Sequence, residues 1–311
     1  MSADDCEAGV MMMMSCCASC GIAEADDINL KECATCDLVR YCSDKCQENH
    51  VSQHKEACMK RAVELRDEIL FKQPESSYLG DCPICCLPMP LDLSKSIVAV
   101  CCSKSICRGC DVETQKRELE ERLENKCPFC REPVGNKLWR KQIMKRIESN
   151  DPVAMCREGV EQYEKGDHSS AFGYYVKAAE LGDVDAHYRL SHMYRDGVGV
   201  EKGNKGKETH HLEEAAIGGH PYARNNLGWE EWNNGNTERA VKHWIIAATQ
   251  GHDLSIKPLM DAHRDGMVSK DVLSAALRAH QAAVDATKSP QREAADEYFK
   301  NWAECIHAED C

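Results

Sequence analysis

The sequence lacks most of the features by which membrane proteins and many enzymes are recognised. Only 6% of its residues are aromatic, and no run approaches the roughly 20 apolar residues of a transmembrane helix. Its 39 Lys and Arg are outnumbered by 52 Asp and Glu, which gives a formal net charge of -13. Because phosphate contacts depend on clustered basic residues, this charge argues against nucleic acid or an anionic membrane as a partner. A Gly-rich phosphate loop, a nucleophile elbow and a catalytic carboxylate pair are also missing.

Cysteine, in contrast, is abundant and unevenly placed. The chain of 311 residues has 21 cysteines, and all but three lie between Cys6 and Cys130. Either a disulfide framework or bound metal explains such a density. The N-terminal string MSADDCEAGVMMMM is acidic, without a basic start or a long apolar core, so no secretory signal peptide is expected. We therefore predict a cytoplasmic or nuclear protein with reduced thiols, which favours metal.

The first cysteine-rich segment has its cysteines at the spacings of zinc ligands. A Cys-x-x-Cys knuckle places two sulfurs on one side of a tight turn, and zinc binds thiolate and imidazole groups. Eight candidate ligands make two closed sites of four, and closed zinc sites are structural because no position is open for substrate. The candidates are Cys17, Cys20, Cys33, Cys36, Cys42, Cys46, His54 and Cys58.

This segment, residues 16–58, resembles a MYND finger through the strings YCSDKCQ at 41–47 and HKEAC at 54–58. The resemblance implies interleaved sites. Cys16 is an alternative to Cys17 with a looser spacing, and His50 is expected at the surface. The family usually has Trp where this chain has Val51, which leaves zinc binding intact but puts the usual packing in doubt. One implied zinc site is Cys17, Cys20, Cys42 and Cys46, and the other is Cys33, Cys36, His54 and Cys58.

The second cysteine-rich segment, residues 81–135, again supplies eight ligands and resembles a RING finger. Its departure from the family is Lys104, which stands where a histidine ligand is usual, and a protonated lysine cannot bind zinc. We therefore propose that Cys101 and Cys102 both serve as ligands, as in all-cysteine RING variants, and that Cys86 is spare. The predicted sites are Cys82, Cys85, Cys107 and Cys110, and Cys101, Cys102, Cys127 and Cys130.

RING fingers that act as ubiquitin ligases dock a ubiquitin-conjugating enzyme on an apolar groove. The resemblance implies that Ile84 and Pro128 contribute to this groove and that Arg131 orders the ubiquitin carried by the docked enzyme. The fixed donor fork of arginine suits bridging between two protein carbonyls. The alternative is that Ile84 and Pro128 only fill their knuckles and that Arg131 is an ordinary surface charge.

From residue 151 onward the sequence repeats with helical periodicity. Ala-Ala pairs recur at 178, 215 and 247, and Ala154, Ala186, Ala223 and Ser255 follow a matching rhythm. Spacings of this size predict a solenoid of stacked helix pairs. The unit that begins at Ala186 and contains Gly197-Val198-Gly199 resembles Sel-one-like repeats, relatives of the tetratricopeptide class. That resemblance implies an elongated surface for protein partners.

Several aromatic and metal-like residues of this region have two interpretations. Its large aromatic residues either line the partner surface or pack in the core, and the core is favoured. His210-His211 and the tail Cys305-x-His307-x-x-x-Cys311 have metal-like spacings but are expected to bind no ion. The aromatic residues concerned are Tyr222, Trp229, Trp232 and Trp244.

The sequence thus predicts a multidomain protein with two small cross-braced zinc fingers followed by an all-α repeat solenoid. It predicts about four zinc ions and a modular adaptor or scaffold that binds a protein client through its repeats. The alternative is a RING-type ubiquitin-protein ligase that selects substrates through the same repeats. The expected segments are a disordered leader 1–15, finger 16–58, helical linker 59–80, finger 81–135, helix 136–150, repeats 151–300 and a flexible tail 301–311.

Overall fold

A computed structural model of the protein describes residues 16–25, 27–135, 138–200 and 203–307, the side chains as far as residue 301. The expected leader 1–15 and Cys311 lie outside the described residues. The chain forms two compact units, Met1–Lys72 and Gln73–Cys311.

The first unit contains the first finger, which has little regular structure. Strands β1 (Lys31–Glu32) and β2 (Arg40–Tyr41) pair antiparallel, and helix α1 (Asp44–Leu70) follows. Ser43 begins the helix because its hydroxyl accepts a hydrogen bond from the backbone N–H of Cys46 at 3.3 Å. The helix predicted near 59–72 is therefore the second half of one helix of 27 residues.

The second unit begins with the second finger. Its strands β3 (Ser96–Ala99) and β4 (Lys104–Cys107) form an antiparallel hairpin in which Ile97 pairs with Ile106. Helix α2 (Arg108–Glu120) follows β4 directly, and the Cys107 sulfur caps it by accepting a hydrogen bond from the Cys110 N–H at 3.5 Å. A predicted zinc ligand therefore also fixes the start of this helix.

Ten α-helices complete the described part of the second unit, and the second to the seventh of them pack as three consecutive pairs. None of the described helices is long and apolar enough to cross a membrane. The helices are α3 (Trp139–Glu148), α4 (Pro152–Glu164), α5 (His168–Glu180), α6 (Val184–Asp196), α7 (Lys205–Ile217), α8 (Pro221–Asn233), α9 (Thr237–Thr249), α10 (Ile256–Arg264), α11 (Lys270–Ala286) and α12 (Pro290–His307).

The turns between successive helix pairs share one geometry. Each has a glycine in the left-handed region, at φ 87° for Gly182, 86° for Gly219 and 85° for Gly251. Glycine ends helices in this conformation without the strain that a Cβ would add. The next residue then bonds back to the buried alanine five positions earlier, as His220 N–H does to Ala215 O at 3.0 Å.

The repeat core is built from small residues facing large ones. A Cβ added to Gly228 of α8 would lie 2.3 Å from Trp244 Nε1 of α9, so only glycine lets these helices approach so closely. Gly159 of α4 faces Tyr175 of α5 in the same way, with a Cβ distance of 2.5 Å. The helix pair α10 and α11 is irregular, with lengths of 9 and 17 residues, as expected of a capping unit.

The end of the chain differs from the expectation of a tail beginning at residue 301. Helix α12 continues to His307 and lies against α2 of the second finger. Lys95 Nζ contacts Asp296 Oδ2 at 2.7 Å, and the Arg108 guanidinium lies 4.1 Å from the centre of the Phe299 ring. This helix therefore has a packing partner that its local sequence does not reveal.

Candidate metal centres

The first finger brings its predicted ligands into two groups of four. Within each group the ligand atoms all lie within 4.8 Å of one another. One group combines the two cysteines of the first knuckle with two cysteines at the junction of β2 and α1. The other combines two cysteines that follow β1 with a histidine and a cysteine of α1. The groups are Cys17, Cys20, Cys42 and Cys46, and Cys33, Cys36, His54 and Cys58.

Local structure explains why these side chains converge. His54 and Cys58 are four positions apart in α1 and so lie on one face of the helix. The knuckle at Cys17 is joined to β2 by a hydrogen bond from Ala18 N–H to Arg40 O at 3.0 Å. The sites therefore interleave, which gives the cross-braced arrangement that the sequence predicts.

The distances within the groups fit a tetrahedral zinc ion. Zn–S bonds of about 2.3 Å at tetrahedral angles place sulfurs about 3.8 Å apart. The Cys20–Cys42 sulfurs are separated by 3.6 Å, Cys42–Cys46 by 3.6 Å and Cys33–Cys58 by 3.8 Å. The sulfur of Cys36 lies 3.1 Å from His54 Nε2, the nitrogen that would bind the metal. Each group could therefore hold one zinc ion.

The surroundings of two ligands favour the protonation states that zinc requires. Burial raises the pKa of Cys17, but hydrogen bonds from the backbone N–H groups of Cys42, Cys20 and Ser19 outweigh it and bring the pKa to about 6. Burial also lowers the pKa of His54, which favours the neutral imidazole. The nearby His50 belongs to neither ligand group, and its Nδ1 lies 3.1 Å from the hydroxyl of buried Tyr41.

The second finger forms two further groups, each again within 4.8 Å. Cys101 and Cys102 lie in the turn between β3 and β4, and both belong to the same group. Cys101 is 3.3 Å from Cys130 and Cys102 is 3.7 Å from Cys127, measured between sulfurs. Lys104 instead extends over the Phe129 ring, with Nζ 5.1 Å from its centre. The groups are Cys82, Cys85, Cys107 and Cys110, and Cys101, Cys102, Cys127 and Cys130.

Three Cys-x-x-Cys knuckles share one turn, and Cys86 occupies a position of this turn that lies outside the metal group. In each, the residue after the second cysteine has positive φ, 73° at Gly21, 56° at Cys86 and 62° at Arg131. That residue donates its N–H to the carbonyl of the first cysteine, as Cys86 does to Cys82 at 2.7 Å. Cys86 is exposed and belongs to no metal group in the part of the chain that the structure describes. Cys16 likewise lies outside the group that contains Cys17.

Helix α12 reaches the first zinc group of the second finger through Arg292. This buried side chain donates to the Cys85 sulfur at 3.3 Å, and to Pro88 O at 2.7 Å and Leu87 O at 3.2 Å. A four-thiolate zinc site carries a net charge of about -2, so a guanidinium beside it is stabilising. Burial lowers the pKa of Arg292, but its bonds to Cys85 and Cys107 outweigh this and raise it.

Sequence reasoning missed Arg292, and no local pattern could have found it. It lies more than 200 residues from Cys85, and only the fold brings the two together.

The residues implied for ubiquitin transfer are all at the surface. Ile84 is 43% exposed, Pro128 and Arg131 are also exposed, and Arg131 occupies the left-handed position of its knuckle. A cavity of about 240 Å³ beside α2 is lined by Pro128, with neither Ile84 nor Arg131 among its lining residues.

Comparison with known proteins identifies two of the modules. Residues 17–58 match the model of the MYND finger, and residues 154–183, 184–220 and 221–252 match the Sel1 repeat. No curated protein matches the chain.

Two solved structures are similar to the helical part of the chain. The first is a Sel1 repeat protein from Oxalobacter formigenes, with 23% identity, a TM-score of 0.42 and coverage of 56% of this chain and 51% of that one. The second is c5321, a protective antigen present in uropathogenic Escherichia coli strains displaying an SLR fold, with 19% identity, a TM-score of 0.38 and coverage of 58% and 37%. The chain thus spans about half the length of the first of these and less of the second. By the matches to the family models, the chain contains a MYND finger, residues 17–58, and three Sel1 repeats, residues 154–252.

Proposed function

We propose that this protein is an adaptor of the cytoplasm or nucleus whose zinc fingers are structural and whose repeats bind a protein client. The observation that carries the proposal is the number of ligands in each group. All four groups have four ligand atoms, so a tetrahedral ion in any of them has no position left for water or substrate. Sel1 repeats are protein–protein interaction modules.

A client captured by the full chain is expected to contact the repeats. Lysine cross-linking of the zinc-loaded protein with a purified client should join the client to the exposed Lys205, Lys207 and Lys242. These lysines lie on α7 and α9. Cross-links confined to finger lysines such as Lys31 and Lys104 would contradict a repeat-bound client and move the interaction to the fingers.

The ligase alternative makes a different prediction for the second finger. An adaptor should transfer no ubiquitin to itself with a broad panel of ubiquitin-conjugating enzymes, while a known RING ligase is active in the same assay. Ubiquitin chains that are lost in Ile84→Ala and in Arg131→Ala, at unchanged zinc content, would establish the ligase instead. Both side chains are exposed, so these substitutions should leave the finger folded.

A further inference from the structure

The segment from Gln73 to Gly80, with sequence QPESSYLG, lies against the turns of the repeats in an irregular course with a turn at Tyr78 and Leu79, where Gly80 N–H donates to Ser77 O at 3.0 Å. Its backbone is tied to the repeats by two hydrogen bonds. Tyr78 N–H donates to Gly219 O at 3.1 Å, and Gln250 Nε2 donates to Ser76 O at 3.5 Å. The Thr249 hydroxyl donates to Gln73 Oε1 at 2.9 Å. Hydrogen bonds to the backbone of a peptide are one way in which a groove holds it.

Tyr78 inserts its ring into an aromatic cleft. The ring stacks on His220 with centroids 4.4 Å apart and planes 19° apart, and Tyr188 stacks on the same imidazole at 4.2 Å and 25°. Two rings stacked on one imidazole must lie on opposite faces, so His220 separates the tyrosines. His220 is held rigidly, since it is 1% exposed and its Nδ1 accepts the N–H of Ala223 at the start of α8. A rigid, buried aromatic wall suits a single aromatic side chain of an incoming peptide.

A charged pair adjoins His220. His220 Nε2 lies 3.6 Å from Asp185 Oδ1, and Arg189 donates to Asp185 Oδ2 at 2.7 Å. Burial raises the pKa of Tyr78, and the charge of Asp185 raises it further, so the phenol stays neutral. The cleft therefore receives an uncharged tyrosine.

One turn of the repeats leaves room for the segment. A Cβ on Gly219 would lie 3.0 Å from Ser76 O, whereas one on the equivalent Gly182 would meet nothing within 4 Å. All three turn glycines have nearly the same positive φ, so the approach of the Gln73–Gly80 backbone to 3.0 Å is particular to Gly219. We call the surface formed by Tyr188, Gly219, His220 and Gln250 the tyrosine cleft.

We propose that the tyrosine cleft is a peptide-binding site that the chain fills with its own Tyr78, and that a client enters by presenting a tyrosine in a short irregular segment. The inference rests on the proposed function of the repeats and names the partner chemistry at one place on them. Because the segment is tethered beside the cleft, it competes with an added ligand at an effective concentration of about a millimolar. A ligand that binds weakly therefore cannot displace it. One aromatic ring and three hydrogen bonds hold it, and such short segments open locally far more readily than a folded core.

The test uses the zinc-loaded full chain and a fluorescein-labelled QPESSYLG peptide in fluorescence polarisation. Tyr78→Ala empties the cleft without changing its walls. The labelled peptide should bind this variant at least about tenfold more tightly than the wild-type chain, because the tethered competitor is gone. The peptide QPESSALG should bind neither chain. Equal binding to both chains, or equal binding of the two peptides to Tyr78→Ala, would overturn the inference.

A second measurement needs no variant and covers the case in which Tyr78→Ala misfolds. Saturating QPESSYLG added to the wild-type chain should speed hydrogen exchange at the amide of Tyr78, which is bonded to Gly219 O. The QPESSALG peptide serves as its control, and unchanged exchange at Tyr78 would contradict displacement. If the cleft binds no peptide in either assay, the tyrosine cleft is rejected as a peptide-binding site. The proposed function of the repeats would still stand if a client were cross-linked to Lys205 or Lys242.

Discussion

Removal of zinc at neutral pH is expected to release about four ions per chain and to unfold both fingers while helices α4 to α11 remain folded. The reason lies in what each core is made of. The first finger's core is mainly Cys17, Cys33, Cys36 and Tyr41, and that of the second is mainly cysteine with Met89 and Ile106. Structural zinc contributes about 10–16 kcal/mol to the folding of such small domains. The repeats bury alanine, leucine and large aromatic residues and need no ion.

Helix α12 is expected to lose its packing together with the fingers when zinc is removed. Its ties to the second finger are Arg292 to the Cys85 sulfur and Lys95 to Asp296. Loss of the metal removes the surface on which α12 packs, so its amides should exchange rapidly after chelation while those of α8 and α9 stay protected. Chelation that abolishes helicity in α4 to α11 would show that the repeats depend on zinc.

Two cysteines four positions apart, Cys82 and Cys86, provide matched variants for this prediction. Cys82→Ser should lower the zinc content by one ion, because Cys82 is fully buried in its group. Cys86→Ser should leave the content unchanged, because Cys86 is exposed and belongs to none of the groups among the described residues. Zinc loss from Cys86→Ser, measured by a colorimetric chelator after unfolding, would contradict the ligand assignment.

Most of the fold and of the candidate sites could be predicted from short-range sequence patterns. The Cys-x-x-Cys spacing is itself a local geometry, and the three knuckles at Cys17, Cys82 and Cys127 repeat one turn. The repeat spacing predicts packing in the same way, because Ala186 and Ala223 are fully buried in the first turn of α6 and α8, and Ser255 is fully buried just before α10. Fold class, repeat identity and the number of zinc-binding groups follow from such patterns.

Contacts between distant parts of the chain could not be predicted. The bond from Arg292 to Cys85 and the stacking of Tyr78 on His220 each join segments that no periodicity relates. Local periodicity predicts a helical linker over 59–80, whereas α1 ends at Leu70 and residues 73–80 are irregular, with a turn at Tyr78 and Leu79. A short polar segment such as QPESSYLG has no core of its own, so only its partner surface determines its course.

The tryptophans show how far a pattern can distinguish core from surface. All of Trp229, Trp232 and Trp244 have helical spacing, yet Trp244 is 1% exposed and Trp229 is 44% exposed. Both belong to one aromatic cluster, with ring centroids 5.2 Å apart. The preference for the core is therefore right for Trp244, whereas Trp229 presents much of its ring at the surface.

Trp244→Ala is expected to destabilise the repeats by about 3–5 kcal/mol, since it leaves a cavity among buried residues. The indole packs with Ala240, Ala248 and Leu259, and it covers Gly228 from the facing helix. A loss of this size is a large part of the 5–15 kcal/mol by which domains are usually stable. Urea unfolding followed by circular dichroism, with zinc kept saturating, measures the change in the free energy of unfolding.

Trp229→Ala is the matched control, because it removes the same side chain from the same cluster at a half-exposed position. It should reduce the free energy of unfolding by less than about 1 kcal/mol, as surface substitutions usually do. The difference between the two variants then measures the burial of Trp244 rather than the loss of an indole. Equal losses would mean that Trp229 carries the packing of α8 on α9 as much as Trp244 does, in conflict with their exposures.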